Sequence, residues 1–245
     1  MSSRTGSVPI DPAPAGPALV LVGPPGAGKT TVGRVLARRL GVSFTDVDTL
    51  IVERIGKSIA EMFTEDGEDA FRALEREVVA EALTRADGVL ALGGGSVLAA
   101  STRERLHGHR VVLLWVGLSD GLRRTGMSTV ARPLLAGVNP RATFKALLDA
   151  RAPLYREVAT VEVDTSRRSA NQVARAVLVA AAQVHPEAVP PAVLQAALDP
   201  TPPLGTPAVD PDHTPSQGTP AVDPLDVPTP VAAVPLPDPL LRPHG

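Results

Sequence analysis

Residues 23–30, GPPGAGKT, match G-x-x-x-x-G-K-S/T at every position, between an apolar run (ALVLV, 18–22) and an amphipathic stretch (KTTVGRVLARRL). No other feature restricts the fold so strongly. A glycine-rich turn joining a buried strand to a helix converges backbone N–H groups on one point, with the positive end of the helix dipole behind them. That is a cradle for the phosphates of a nucleoside triphosphate. The pattern assigns Gly26, Ala27, Gly28 and Thr31 to the cradle, the Lys29 ammonium to the β- and γ-phosphates, and the Thr30 hydroxyl to Mg²⁺. The competing reading, a plain turn with a surface lysine, leaves the flanking strand and helix patterns unexplained.

The middle of the chain repeats this alternation. GVLAL (88–92), RVVLLWV (110–116) and VEVD (161–164) are further strand candidates, and a short strand near SFTDV (43–47) makes five. Between them lie helical patterns. Ser58 and Glu61 form a capping box ahead of SIAEMF, and EDAFRALEREVVAEALTRA carries Phe71, Leu74, Val78 and Leu83 along one side. Strands alternating with helices predict an α/β fold: a five-stranded parallel sheet between two helical layers, a three-layer sandwich with ligands at the carboxyl ends of the strands. Aromatic residues are only 2% of the chain, so Val, Leu, Ile and Ala must build the core.

The ends read differently. Residues 1–17 are a flexible leader without the apolar stretch of a signal peptide, 18–185 the folded domain, and 186–245 a Pro-rich tail that repeats TPAVDP at 206–211 and 219–224. Closely spaced prolines remove backbone donors, so the tail is expected to be disordered or locally polyproline II. It is either an inert extension or a docking peptide for a proline-binding partner. A net charge of −2 gives no reason to expect nucleic acid or an anionic membrane as partner. Without cysteine there are no disulfides and no thiolate chemistry, and the five histidines show no zinc-type grouping. No run approaches the roughly 18 apolar residues of a membrane span. A soluble, cytoplasmic monomer is the expectation.

A phosphate loop alone does not separate kinases from other nucleotide hydrolases. The chain lacks a guanine-reading N-K-x-D, and no strand with a terminal Asp follows at motor-ATPase spacing. A small-molecule kinase fits better, and four clusters bear on its acceptor. Asp46 and Asp48, two apart at the end of the second strand, would point to one face toward the nucleotide. Arg72 and Glu75 are i, i+3 neighbours on a helix. Gly93, Gly94 and Gly95 end a buried strand. Arg151 opens R-A-P-L-Y, after a loop at 126–140 that carries Arg132 and has the length of an active-site cover. Each has a plainer reading: a helix cap, a surface ion pair, a turn, a solvated arginine, a mobile loop.

Taken together and in order, GPPGAGKT, F-x-D-x-D, GKSIAEMF, F-R-x-L-E, L-G-G-G-S, R-P-L-L and R-A-P-L-Y resemble the shikimate kinase family, most closely its actinobacterial type, from about residue 18 to 184. The resemblance implies a nucleoside-monophosphate-kinase-like fold and transfer of the ATP γ-phosphate to the 3-hydroxyl of shikimate. It implies Asp48 as base or orienting group for the acceptor hydroxyl, and Arg72 and Arg151 as a clamp on the shikimate carboxylate. Gly93, Gly94 and Gly95 would line the acceptor, with the Gly94 N–H on the ring substituents. Asp46 would hold the one Mg²⁺ expected per subunit, through water. Arg132 would reach the transferring phosphate, Arg124 would lie against adenine, and Arg168 would join the ATP site. Glu75 would hold Arg72 in place rather than touch substrate. The chemistry suits an acid with one carboxylate and several hydroxyls, because a guanidinium fork grips a planar carboxylate with paired hydrogen bonds. The alternatives are a kinase for another small acid such as gluconate, a nucleotide-binding regulator without catalysis, and a scaffold whose purpose is its tail.

Overall fold

A computed structural model describes residues 16–126 and 139–199. The leader up to residue 15, most of the cover loop with Arg132, and residues 200–245 with both TPAVDP repeats lie outside the described residues.

Five strands form one parallel sheet in the order β2-β3-β1-β4-β5. They are β1 (Leu19–Val22), β2 (Phe44–Asp46), β3 (Val89–Ala91), β4 (Val111–Trp115) and β5 (Val161–Asp164). Each coincides with an expected segment. The central strand β1 pairs Leu19 with Val89 on one side and Val22 with Leu113 on the other. Its four residues are all buried because helices cover both faces of the sheet.

Strand periodicity divides the core into two layers. Leu19 and Leu21 pack with one face's helices, α1 (Lys29–Leu40) and α8 (Ala170–Val184), through Val32, Leu36, Val173 and Val177. Val20 and Val22 point the other way. There they meet α2 (Val47–Ile55), α3 (Ile59–Glu65), α4 (Gly67–Arg85), α5 (Ala100–Leu106) and α7 (Pro140–Val158), through Ile51, Met62, Phe71, Leu106 and Tyr155. Burying each large aliphatic side chain contributes about 1.5–3 kcal/mol, so a core poor in aromatics is sufficient. The capping box before α3 forms as expected: Ser58 Oγ accepts from the Glu61 N–H, and the Glu61 carboxylate accepts from the Ser58 N–H.

Two expectations change. The strand argument for Asp46 and Asp48 does not hold, because β2 ends at Asp46 and Asp48 lies in the first turn of α2. Asp46 is the N-cap, its Oδ1 accepting the Asp48 N–H at 3.1 Å. Both carboxylates still face the sheet's carboxyl end, brought there by a cap instead of a strand. Second, the chain remains folded past residue 185. A 3₁₀ turn (Pro186–Ala188) leads to α9 (Pro191–Leu198), with Pro191 in the first turn, where a missing N–H breaks no helical bond. Val189 and Ala197 are buried, and Arg175 of α8 donates to the carbonyls of Ala197 and Leu198 at the end of α9. A proline-rich composition does not prevent folding when the prolines fall at helix starts.

Candidate active site

One cavity of about 460 Å³ opens at the carboxyl ends of β1, β2 and β3. It is lined on one side by Pro25, Gly26, Gly28, Lys29, Thr30 and Thr31, and on the other by Asp48, Arg72, Glu75, residues 93–95 and Arg151. Asp46 and Arg124 also reach it, and Ile59, Phe63, Phe71, Leu92 and Leu147 supply apolar wall.

The phosphate loop takes its shape from glycine. Gly26 has φ 77°, and a β-carbon there would stand 2.9 Å from the Gly121 carbonyl of α6 (Leu118–Gly126). The loop therefore passes close against the neighbouring helix without a side chain between them. Ala27 is fully buried, and its N–H donates to the Pro24 carbonyl at 3.2 Å. The Lys29 ammonium folds back across the loop and donates to the carbonyls of Gly23 at 2.8 Å and Pro24 at 3.2 Å. Thr30 Oγ1 donates to Asp46 Oδ2 at 2.7 Å.

Thr30 and Asp46 make a small, hard-oxygen donor set. Among the described residues no group of three or more His, Asp or Glu could hold a metal ion by protein ligands alone. Mg²⁺ does not need one, because it retains several waters and takes the rest of its octahedron from one or two protein oxygens and substrate phosphates. A hydroxyl and a carboxylate side by side at the phosphate loop fit that requirement.

On the wall opposite the phosphate loop a chain of contacts holds Arg72, Glu75 and Arg151. Glu75 of α4 is buried and bridges two partners: Oε2 accepts from Arg72 Nη1 at 2.7 Å, and Oε1 accepts from Ser96 Oγ at 2.7 Å. Glu75 thus does hold Arg72, as the sequence pattern leads one to expect, and also anchors the start of the segment after the triglycine. Arg72 has a second carboxylate partner, Glu68, one helical turn earlier, at 3.1 Å. A β-carbon at position 93 would stand 2.6 Å from Glu75 Oε1 and 2.9 Å from Asp48 Oδ1, so any larger residue there would displace these carboxylates. Gly95 backs onto the Arg72 guanidinium, and Gly94 abuts the ring of Pro25 in the phosphate loop. The two walls of the cavity therefore touch where Gly94 meets Pro25.

The expected role of Gly94 as an N–H donor is joined by another feature of the same residue. Its carbonyl accepts from Arg151 Nη1 at 3.0 Å and from the Tyr155 hydroxyl at 2.5 Å. Arg151 and Tyr155 are one turn apart on α7, on either side of Pro153, which lies inside that helix. Tyr155 is fully buried, and burial pushes its phenol up to about 12, so the hydroxyl keeps its proton.

At the phosphate-loop end of the cavity, Arg124 donates to the carbonyl of Gly26 at 3.3 Å, to Thr165 Oγ1 at 3.1 Å and to the Thr165 carbonyl at 2.8 Å. This ties α6, the phosphate loop and the turn after β5 together. Arg168 is exposed in that turn and does not line the cavity. The Asp164 carboxyl nearby is held below its ordinary range, chiefly by hydrogen bonds from Ser166 and in smaller part by the charge of Arg168. Arg132 lies outside the described residues. Sequence reasoning did not single out Glu68, Leu147 or Thr165, and named Ser96 only as the end of L-G-G-G-S; the bond from Ser96 to Glu75 joins elements distant in sequence.

The family model described as "Shikimate kinase" matches residues 25–182. A shikimate kinase from the actinobacterium Saccharopolyspora erythraea is 68% identical over 149 residues, covering 61% of this chain and 85% of that protein. One from Thermobifida fusca is 57% identical over 158 residues, covering 64% of this chain and 91% of that protein. Among solved structures, shikimate kinase from Acinetobacter baumannii in complex with shikimate is 41% identical with a TM-score of 0.64, covering 68% of this chain and 92% of that one.

Proposed function

The chain belongs to the shikimate kinase family, and from that premise we propose that it transfers the γ-phosphoryl group of ATP to the 3-hydroxyl of shikimate, giving shikimate 3-phosphate and ADP. The observation that carries this reading is one cavity with Lys29 and Thr30 on one wall and Asp48, Arg72 and Arg151 on the other. A triphosphate cradle and an organic-acid clamp face each other across it.

In this reading the backbone of Gly26, Ala27, Gly28 and Thr31 cradles the phosphates, and Lys29 leaves its two loop carbonyls for the β- and γ-oxygens. Arg72 and Arg151 grip the shikimate carboxylate, and residues 93–95 form the floor beneath the ring. Asp48 accepts the proton of the acceptor hydroxyl as its oxygen forms a bond to the γ-phosphorus and the bond to the β–γ bridging oxygen breaks. In a loose phosphoryl transition state, alignment by Asp48 contributes at least as much as proton removal. Lys29 and Arg132 balance charge on the equatorial oxygens. Thr30 and Asp46 would hold Mg²⁺, Asp46 through water. When bound, the ion neutralises charge on the β- and γ-phosphates. Arg124 lies against adenine, with Arg168 at the rim of the nucleotide site.

Both substrates are water-soluble metabolites, and we read the enzyme as a cytoplasmic monomer with no nucleic-acid or membrane partner. No helix among the described residues is long and apolar enough to cross a membrane. The test is ADP release coupled to a spectroscopic readout, across shikimate, gluconate and related hydroxy acids. Turnover with shikimate is expected; turnover with gluconate and none with shikimate would overturn the assignment.

A further inference from the structure

At the Gly94 carbonyl the phosphate loop, the acceptor floor and α7 converge: Pro25 lies against Gly94, and both Arg151 and Tyr155 donate to its oxygen. Nothing in the proposed chemistry uses Tyr155. It is nevertheless the only tyrosine in the chain, fully buried, with its hydroxyl directed at an active-site backbone group and not at solvent. A tyrosine whose ring alone mattered could be replaced by phenylalanine at no cost in packing.

We propose that Tyr155 is a positioning residue for acceptor binding, its hydroxyl sharing the Gly94 carbonyl with Arg151 and so fixing both the triglycine floor and the arginine that grips the acceptor carboxylate. This rests on shikimate being the acceptor.

Several observations support it. A carbonyl oxygen has two lone pairs, and here both are used by donors one helical turn apart, so neither donor displaces the other. Engaging Nη1 on a fixed acceptor limits rotation of the Arg151 guanidinium and keeps its remaining N–H groups available to the cavity that it lines. The peptide unit is planar and no cis bond occurs among the described residues, so pinning the Gly94 carbonyl also sets the direction of the Gly95 N–H. Three glycines in a row have no side chains to hold them, so the tether must come from outside. The phenol, kept neutral by burial, donates throughout the physiological range.

Tyr155→Phe removes one oxygen and leaves the ring in its site. The expected result is a rise of about three- to ten-fold in KM for shikimate, with KM for ATP within about two-fold and kcat within about three-fold. Because the effect passes through Arg151, Tyr155→Phe made on an Arg151→Ala background should raise KM by less than it does alone. An unchanged KM for shikimate in an active Tyr155→Phe enzyme would overturn the proposal while leaving shikimate as the acceptor. Equal changes in both KM values, or a lowered melting temperature with normal kinetics, would also overturn it by assigning the hydroxyl a purely structural role. A failure of the unsubstituted chain to phosphorylate shikimate would overturn the choice of acceptor itself and this inference with it.

Discussion

Thr30 Oγ1 and Asp46 Oδ2 stand 2.7 Å apart, although 16 positions separate them in sequence. The same carboxylate caps α2 with its other oxygen. One side chain therefore links the phosphate loop to the helix that carries Asp48. Asp46→Asn separates the two tasks, since Asn caps helices as well as Asp does but brings no charge. The Mg²⁺ concentration for half-maximal activity is expected to rise about 10- to 100-fold, with the melting temperature nearly unchanged. A magnesium titration at saturating ATP and shikimate measures it.

Asp48 lies beside Gly93 on the acceptor side of the cavity. Asp48→Asn should keep the shape and remove the base. Turnover is expected to fall by about 10²–10⁴-fold while the dissociation constant for ATP, measured by calorimetry, stays within a factor of two or so. Equal losses in turnover and ATP affinity would mean that Asp48 serves the nucleotide.

The two arginines of the clamp should behave differently once stability is measured beside KM. Removing either should raise KM for shikimate, because losing one partner of a desolvated charge pair costs about 2–5 kcal/mol. Arg72→Ala also strips the main cation from Glu75, whose side chain is only 3% exposed. An unpaired buried carboxylate destabilises by about 3–5 kcal/mol, so this variant should melt markedly lower. Arg151 bonds a backbone carbonyl that Tyr155 still satisfies, and Arg151→Ala should melt close to the unsubstituted protein.

His109 should set part of the acid limb of stability. Burial, assisted by Arg110, holds its pKa below the ordinary value near 6.5. The unfolded chain therefore takes up a proton on this residue at a higher pH than the folded chain does. Its contribution to stability is complete above the unfolded value and declines as pH falls from there toward the folded value. Thermal melts between about pH 5 and pH 8 are expected to show a shallower decline in His109→Gln over that window.

Two truncations should test what the C-terminal segments contribute. Ending the chain after Asp199 should leave kinetics and melting temperature nearly unchanged. Ending it after His185 removes α9, the buried Val189 and Ala197, and the carbonyls that Arg175 engages. The melting temperature should drop by about 2–4 °C for each kcal/mol lost. Equal melting temperatures for the two would mean that α9 contributes nothing to the fold.

The phosphate loop, the five strands and their parallel orientation were legible in the chain because they follow from apolar runs bounded by turns, a glycine pattern that can adopt few shapes, and strand–helix alternation; the order β2-β3-β1-β4-β5 was not. The motif arginines and aspartates were legible as candidates for the same reason. Periodicity carried less information where one residue does two jobs. Asp46 and Asp48 read as strand neighbours, yet the first is a helix cap and the second a helical residue; both patterns place polar groups two apart. The prolines at 186 and 191 read as breakers of structure, and only their position at the starts of turns made them compatible with α9.

Sequence alone determined which groups the protein could bring to chemistry: a loop that must bind phosphate, acids that could orient a hydroxyl, guanidinium groups that could grip an acid. Only the tertiary structure decided that they share one cavity, that Glu75 joins Arg72 to Ser96, and that Tyr155 and Arg151 meet on the Gly94 carbonyl. Those contacts join residues 21, 57 and 61 positions apart. Their geometry is set by how helices pack across a sheet, and no local pattern in the chain encodes it.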